Sequence, residues 1–126
     1  MHHNSLKYCI LFALSSILFV GSSSAAPTAE AGKTIFQNQC AACHNKNMKD
    51  NLTGPALGGV EERWAAYPKE DLYKWIRNSQ ALIAAGHPNS TELWNHFKTT
   101  VINSFPAFTD DDIPSTILYI NAQFIK

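Results

Sequence analysis

Apolar positions along this chain recur at helical spacing, and no stretch alternates convincingly as a strand does. "TAEAGKTIFQNQCAACH" predicts a short helix with Thr28 as its cap and Ala31, Ile35 and Phe36 on one face. "PKEDLYKWIRNSQALI" predicts a second, with Pro68 at the first helical position and Glu70 and Asp71 in the first turn. Leu72, Trp75 and Ile76 share its apolar face. "NSTELWNHFKTTVIN" predicts a third, capped by Asn89 or Ser90, with Leu93, Phe97 and Val101 every four residues. The last segment, "TDDDIPSTILYINAQFI", pairs Thr109 with Asp112 as a capping box and carries a stripe of Ile113, Ile117, Ile120 and Phe124. Pro114 fits that helix only if it starts about one turn after Thr109.

Between these segments lie loops. "NKNMKDNLTGPALGGV" is rich in Asn, Gly and Pro, "AAGHP" ends the second helix, and "FPAF" interrupts before the last. The expected fold class is all-α, a small domain of four to five short helices. Long loops in so small a domain call for something inside that organises them.

The start of the chain changes the domain boundaries. Lys7 precedes an apolar run from about Tyr8 to Val20, and small residues follow in "GSSSAAP". This is the layout of a secretory signal peptide. Residues 1–26 are expected to be the signal and 27–126 the working domain, outside the cytoplasm. The run is shorter than the ~20 residues of a spanning helix, and an uncleaved membrane anchor is the alternative. Cys9 lies before the apolar core, so it does not read as a lipoprotein acceptor. The chain has 126 residues and a formal net charge of zero. That balance gives no footprint for nucleic acid and no polybasic patch for a membrane surface.

Chemistry concentrates in "NQCAACHNK". Cys40 and Cys43 are separated by two alanines and followed at once by His44. C-x-x-C-H is the attachment signature of c-type haem. The spacing suits it: two thiols add across the two vinyl groups, and the adjacent imidazole comes under the iron. Three rivals fit less well. A structural zinc site needs four ligands, usually from two separated pairs. A thioredoxin-like pair sits beside a βαβ unit. A disulfide across two residues closes a tight, strained loop. The expected cofactor is one covalent haem c per chain.

These residues resemble the class I cytochrome c family over about Ala29 to Phe124. "GKTIFQNQCAACH" is similar to the family's N-terminal helix and attachment site, with Gly32 and Phe36 where that helix crosses the last one. Tyr119 in "ILYI" resembles the aromatic on the other side of the crossing. "TGPALGG" is similar to the loop in which a proline carbonyl, here Pro55, supports the proximal imidazole. "FPAFTDDDI" resembles the distal loop leading into the last helix. The resemblance implies single-electron transfer between redox partner proteins, with Cys40 and Cys43 holding the haem and His44 as proximal iron ligand. It implies a carrier, not an enzyme. Association with a membrane respiratory complex is a further reading.

One feature departs from the family. Its usual distal ligand is a Met just before a Pro, and here Phe105 precedes Pro106. After the signal the only Met is Met48, four residues past His44. His87 and His96 are the other candidates for the sixth ligand, His87 the better placed because it sits in a loop. The remaining alternative is an open sixth position walled by Ile102 and Phe105, suited to a gas sensor or weak peroxidase. Trp64, Tyr67, Tyr73, Trp75, Trp94, Phe97 and Phe108 are expected to wrap the haem and fill the core. "EERW" and "TDDDI" read as solvated charge.

Overall fold

The computed structural model describes residues 25–98, 100 and 102–126. The signal segment expected over 1–26 lies outside them except for its last two residues, and so does Val101 of the third apolar face. The helices are α1 (Ala29–Ile35), α2 (Val60–Trp64), α3 (Lys69–Ala84), α4 (Pro88–Phe97) and α5 (Asp112–Phe124). A π-helical turn, Phe36–Cys40, continues α1 towards the cysteines. No strand occurs among the described residues. The domain is all-α, as the periodicity predicts.

Helix starts show where local chemistry was and was not legible. Thr28 caps α1 as expected, its Oγ1 accepting from the Ala31 N–H at 3.2 Å. Pro68 is not the first helical residue of α3. Its extended ψ of 141° leaves it at the cap, one position earlier. Asn78 then breaks the regular backbone of α3 (φ −156°, ψ 81°), and its Oδ1 accepts from the Ala81 N–H, restarting the helix locally. The cap of α4 is His87 rather than Asn89 or Ser90. Pro88 takes the first helical position, which makes its predecessor the cap. Helix α5 starts at Asp112, three residues after Thr109, and the Asp112 carboxylate accepts from the Thr109 N–H at 2.7 Å. Pro114 therefore falls in the first turn, where a missing N–H costs nothing. The short helix α2 was not expected, because only five residues form it and its sequence, VEERW, is mostly charged.

Helices α1 and α5 cross at a glycine. A Cβ on Gly32 would collide with the Ser115 carbonyl, so only a bare Cα lets the two backbones come this close. Thr28 N–H donates to Ser115 Oγ at 3.1 Å beside it. One turn on, the Phe36 and Tyr119 rings meet with centroids 5.4 Å apart. The buried apolar residues form two clusters. Val60, Trp64, Leu72, Ile113 and Ile117 make one, and Phe36, Met48 and Ile120 make the other. The expected stripe of α5 is buried at Ile113, Ile117 and Ile120, whereas Phe124 is 40 % exposed.

The crossing generates a graded prediction. Gly32→Ala meets backbone that cannot swing away and is expected to cost about 3 kcal/mol, a fall in Tm of roughly 10–20 °C for a domain of this size. Gly58→Ala meets only the Phe124 ring, on a partly exposed side chain that can turn aside. It should cost well under half as much. Thermal melts of the haem-loaded variants followed by circular dichroism decide this, and equal losses would contradict the account of the crossing.

Candidate functional site

The cysteine motif follows directly from the π-helical turn. Ala41 N–H donates to Phe36 O at 2.9 Å, and the His44 N–H returns to Cys40 O at 2.9 Å. These bonds coil the chain so that Cys40, Cys43 and His44 all face one cavity. Neither cysteine is in a disulfide. Burial, and to a lesser extent the neighbouring Cys43, push the Cys40 thiol up to about 11.

His44 is fixed from behind. Its Nδ1 lies 2.8 Å from the Pro55 carbonyl oxygen. A carbonyl only accepts, so Nδ1 carries the proton and Nε2 keeps its lone pair. Burial lowers the His44 pKa, against the opposing pull of that carbonyl. The imidazole is therefore neutral near pH 7, the form that binds a metal. Gly54 backs the ring: a Cβ there would sit 2.7 Å from His44 Cε1. Gly54 N–H also donates to Cys43 O at 2.7 Å, which ties the 44–58 loop to the motif.

The rest of the wall comes from every helix except α1. It includes Trp64, Trp75, Phe97 and Ile117, and before α5 the stretch holding Ile102, Asn103 and Phe105. The space among these residues is about 1230 Å³, including its open mouth. Its lining draws on four helices and both long loops, which suits a large planar cofactor and far exceeds the coordination shell of an ion. Two thiols, an imidazole with a free lone pair and an apolar enclosure fit a covalently attached haem. Zinc finds no such support: among the described residues no group of three or more His, Cys, Asp or Glu could hold a metal ion.

The candidates for a sixth ligand lie elsewhere. His87 is not in the cavity wall. Its Nδ1 accepts from the Ser90 N–H at 3.4 Å, and its ring packs on Trp64 and Tyr67 with centroids 5.4 and 4.5 Å away. Capping α4 holds it outside. His96 is exposed on α4, also off the wall. Met48 is fully buried in the cluster with Phe36 and Ile120. Of the aromatics expected around the haem, Trp64, Trp75 and Phe97 line the cavity. Tyr67, Tyr73 and Phe108 pack on the core behind it, and Trp94 does neither.

Three braces were not foreseen. Gly54 gave no signal beyond its place in a Gly/Pro loop. Arg63, within the supposedly solvated "EERW", donates to Gly58 O at 2.6 Å and Ala56 O at 2.8 Å and lines the cavity. Arg77 donates to Thr109 O and Asp110 Oδ1, and its carbonyl accepts from the Phe105 N–H at 2.9 Å. Such side chain to loop-carbonyl bonds follow no periodicity.

An all-α frame built round a C-x-x-C-H cavity defines a c-type haem protein. The cytochrome c family model matches residues 29–123, and the chain belongs to that family. Comparisons with curated proteins and with solved structures give no match. Membership brings covalently attached haem c and a haem-binding electron carrier's role, with redox partners in general.

The cavity makes stability depend on its contents. Chain produced without haem attachment is expected to lose most of its helical circular dichroism at 25 °C, while the haem-loaded protein stays helical and melts cooperatively. Equal helicity in both forms would show that side chains alone complete the core.

Proposed function

We propose that this protein is an extracytoplasmic monohaem cytochrome that carries single electrons between redox partner proteins. Cys40 and Cys43 hold the haem through thioether bonds, and His44 is the proximal iron ligand. The observation that carries the reading is the His44 Nδ1 to Pro55 O bond of 2.8 Å, on the wall of a cavity shared with both thiols. It fixes the tautomer in which Nε2 ligates, and it raises the basicity of the ring. When bound, haem supplies a one-electron iron couple. The chain's part is to orient that group, tune it and limit solvent access. Gly54 and Pro55 set the ring, and the apolar walls exclude water.

The signal-like layout of residues 1–26 supports a periplasmic or other extracytoplasmic location. The near balance of charge over residues 27–126, nine Lys and Arg against ten Asp and Glu, favours partners recognised by local patches rather than by long-range steering. The cytochrome c family is in general one of electron carriers, which favours a carrier over an enzyme.

The test is attachment. The full chain, made in a haem-attaching host, should retain haem through acid–organic extraction and give a pyridine haemochrome of one haem per chain. Cys40→Ala and Cys43→Ala together should release it entirely. Extractable haem in the native chain would sink the proposal. Gly54→Ala should tilt the imidazole, weaken its bond to Pro55 and make the ring a poorer donor. Potentiometric titration should then show a reduction potential above that of the native protein. An unchanged potential would mean that the Gly54 contact does not hold the ligand.

A further inference from the structure

The geometry points to a ligand site at the haem itself: we propose that the sixth position of the iron has no side-chain ligand and accepts a small neutral diatomic molecule. This rests on the reading above, in which His44 is the proximal ligand. The argument is a walk round the cavity. Apart from Cys40, Cys43 and His44, its described wall carries no Met, His, Cys, Lys or Tyr. Residues 99 and 101, outside the described set, are Thr and Val.

The side chains that could have served are each held away. Met48 is fully buried among Phe36 and Ile120, and its carbonyl accepts from the Gly58 N–H at 2.8 Å. Bringing it to the iron would open that cluster. His87 would have to give up the cap of α4 and its packing on Trp64 and Tyr67. His96 is exposed and off the wall.

The stretch before α5 is also anchored as it stands. Phe105 donates its N–H to Arg77 O and stacks on Phe108 with centroids 4.8 Å apart and planes 12° off parallel. Its neighbours on the wall offer only the Asn103 amide and the Thr100 hydroxyl, and Thr100 Oγ1 donates to Thr53 O at 3.4 Å. Neutral amide and hydroxyl groups bind haem iron weakly and yield to a stronger ligand. Ile76, Leu93, Phe97 and Ile102 make this side of the wall apolar, and the guanidinium of Arg63, elsewhere on the wall, is held to the Gly58 and Ala56 carbonyls. Burying an anion against the apolar side is costly, so the site favours an uncharged diatomic such as carbon monoxide or nitric oxide.

Carbon monoxide is the probe. The reduced, haem-loaded full chain should be high-spin, and the gas should shift its absorption spectrum saturably with one molecule bound per haem. Phe105→Met places a thioether on this wall and should give a low-spin spectrum before gas is added. Its apparent carbon monoxide affinity should fall by ~10-fold if the thioether holds ~90 % of the iron. Asn103→His, at an exposed position, is the second variant and should act in the same direction. A low-spin native spectrum that saturating gas leaves unmoved, with a full pyridine haemochrome, overturns this inference and leaves the haem assignment standing. Absence of covalent haem overturns both. Gas binding as tight in both variants as in the native chain overturns the placement of the site beside Phe105 and Asn103.

Discussion

One cavity, open at its mouth and lined by four of the five helices and both long loops, carries the C-x-x-C-H residues, and most of the architecture answers to it. The two buried apolar clusters do not merge into one core. Val60, Trp64, Leu72 and Ile117 of the first line the cavity, and so does Ile120 of the second. A planar apolar cofactor held by Cys40 and Cys43 would join the halves. Small domains have little core to spare, and a covalent cofactor both supplies the missing apolar surface and cannot dissociate. This explains how a chain with long irregular segments before α2 and before α5 holds a defined shape. Both segments contribute wall: Gly54, Pro55 and Leu57 from one, Ile102, Asn103 and Phe105 from the other.

The proximal side is over-determined by short backbone bonds. The π-helical turn and the His44 N–H to Cys40 O bond place the imidazole relative to the thiols. Pro55 O fixes its proton, Gly54 leaves room for its face, and Gly54 N–H ties both to Cys43 O. Arg63 holds the same loop through Gly58 O and Ala56 O. In the ligation proposed above, an imidazole held this way would not need to reorganise when the iron changes charge, which suits an electron carrier.

Much of this was legible in the sequence because it rests on local rules. Helical spacing found α1, α3, α4 and α5, and the C-x-x-C-H spacing found the thiols and the imidazole. The likeness of "TGPALGG" to a known loop pointed to the Pro55 carbonyl, which the structure places against His44. What was not legible depends on long-range fit. Helix α2 is too short and too charged to announce itself. Arg63 and Arg77 act on carbonyls fixed by the loops around them. His87 read as a loop residue free to turn inward, and only the packing of Trp64 and Tyr67 against it shows that capping α4 fixes its position. Met48 looked like a loop residue, yet it is buried with φ at +61°. Its side chain plugs the second cluster, and that burial offsets an uncommon backbone conformation.

The two sides of the cavity differ in kind. Polar groups that fix a ligand crowd the His44 side, whereas the stretch before α5 presents Ile102 and Phe105 and is braced from outside by Arg77. Met/His ligation raises the potential of a haem, so with the ligation proposed above a wall without a thioether would shift the couple lower and leave the iron reachable by a small molecule. The anchored Phe105 backbone would keep this wall from closing over a bound haem and so would preserve space for a diatomic. Met48 and His87 are held by contacts of their own, in the second cluster and at the cap of α4. With the ligation proposed above, electron transfer would share its single iron with whatever small neutral molecule enters the cavity.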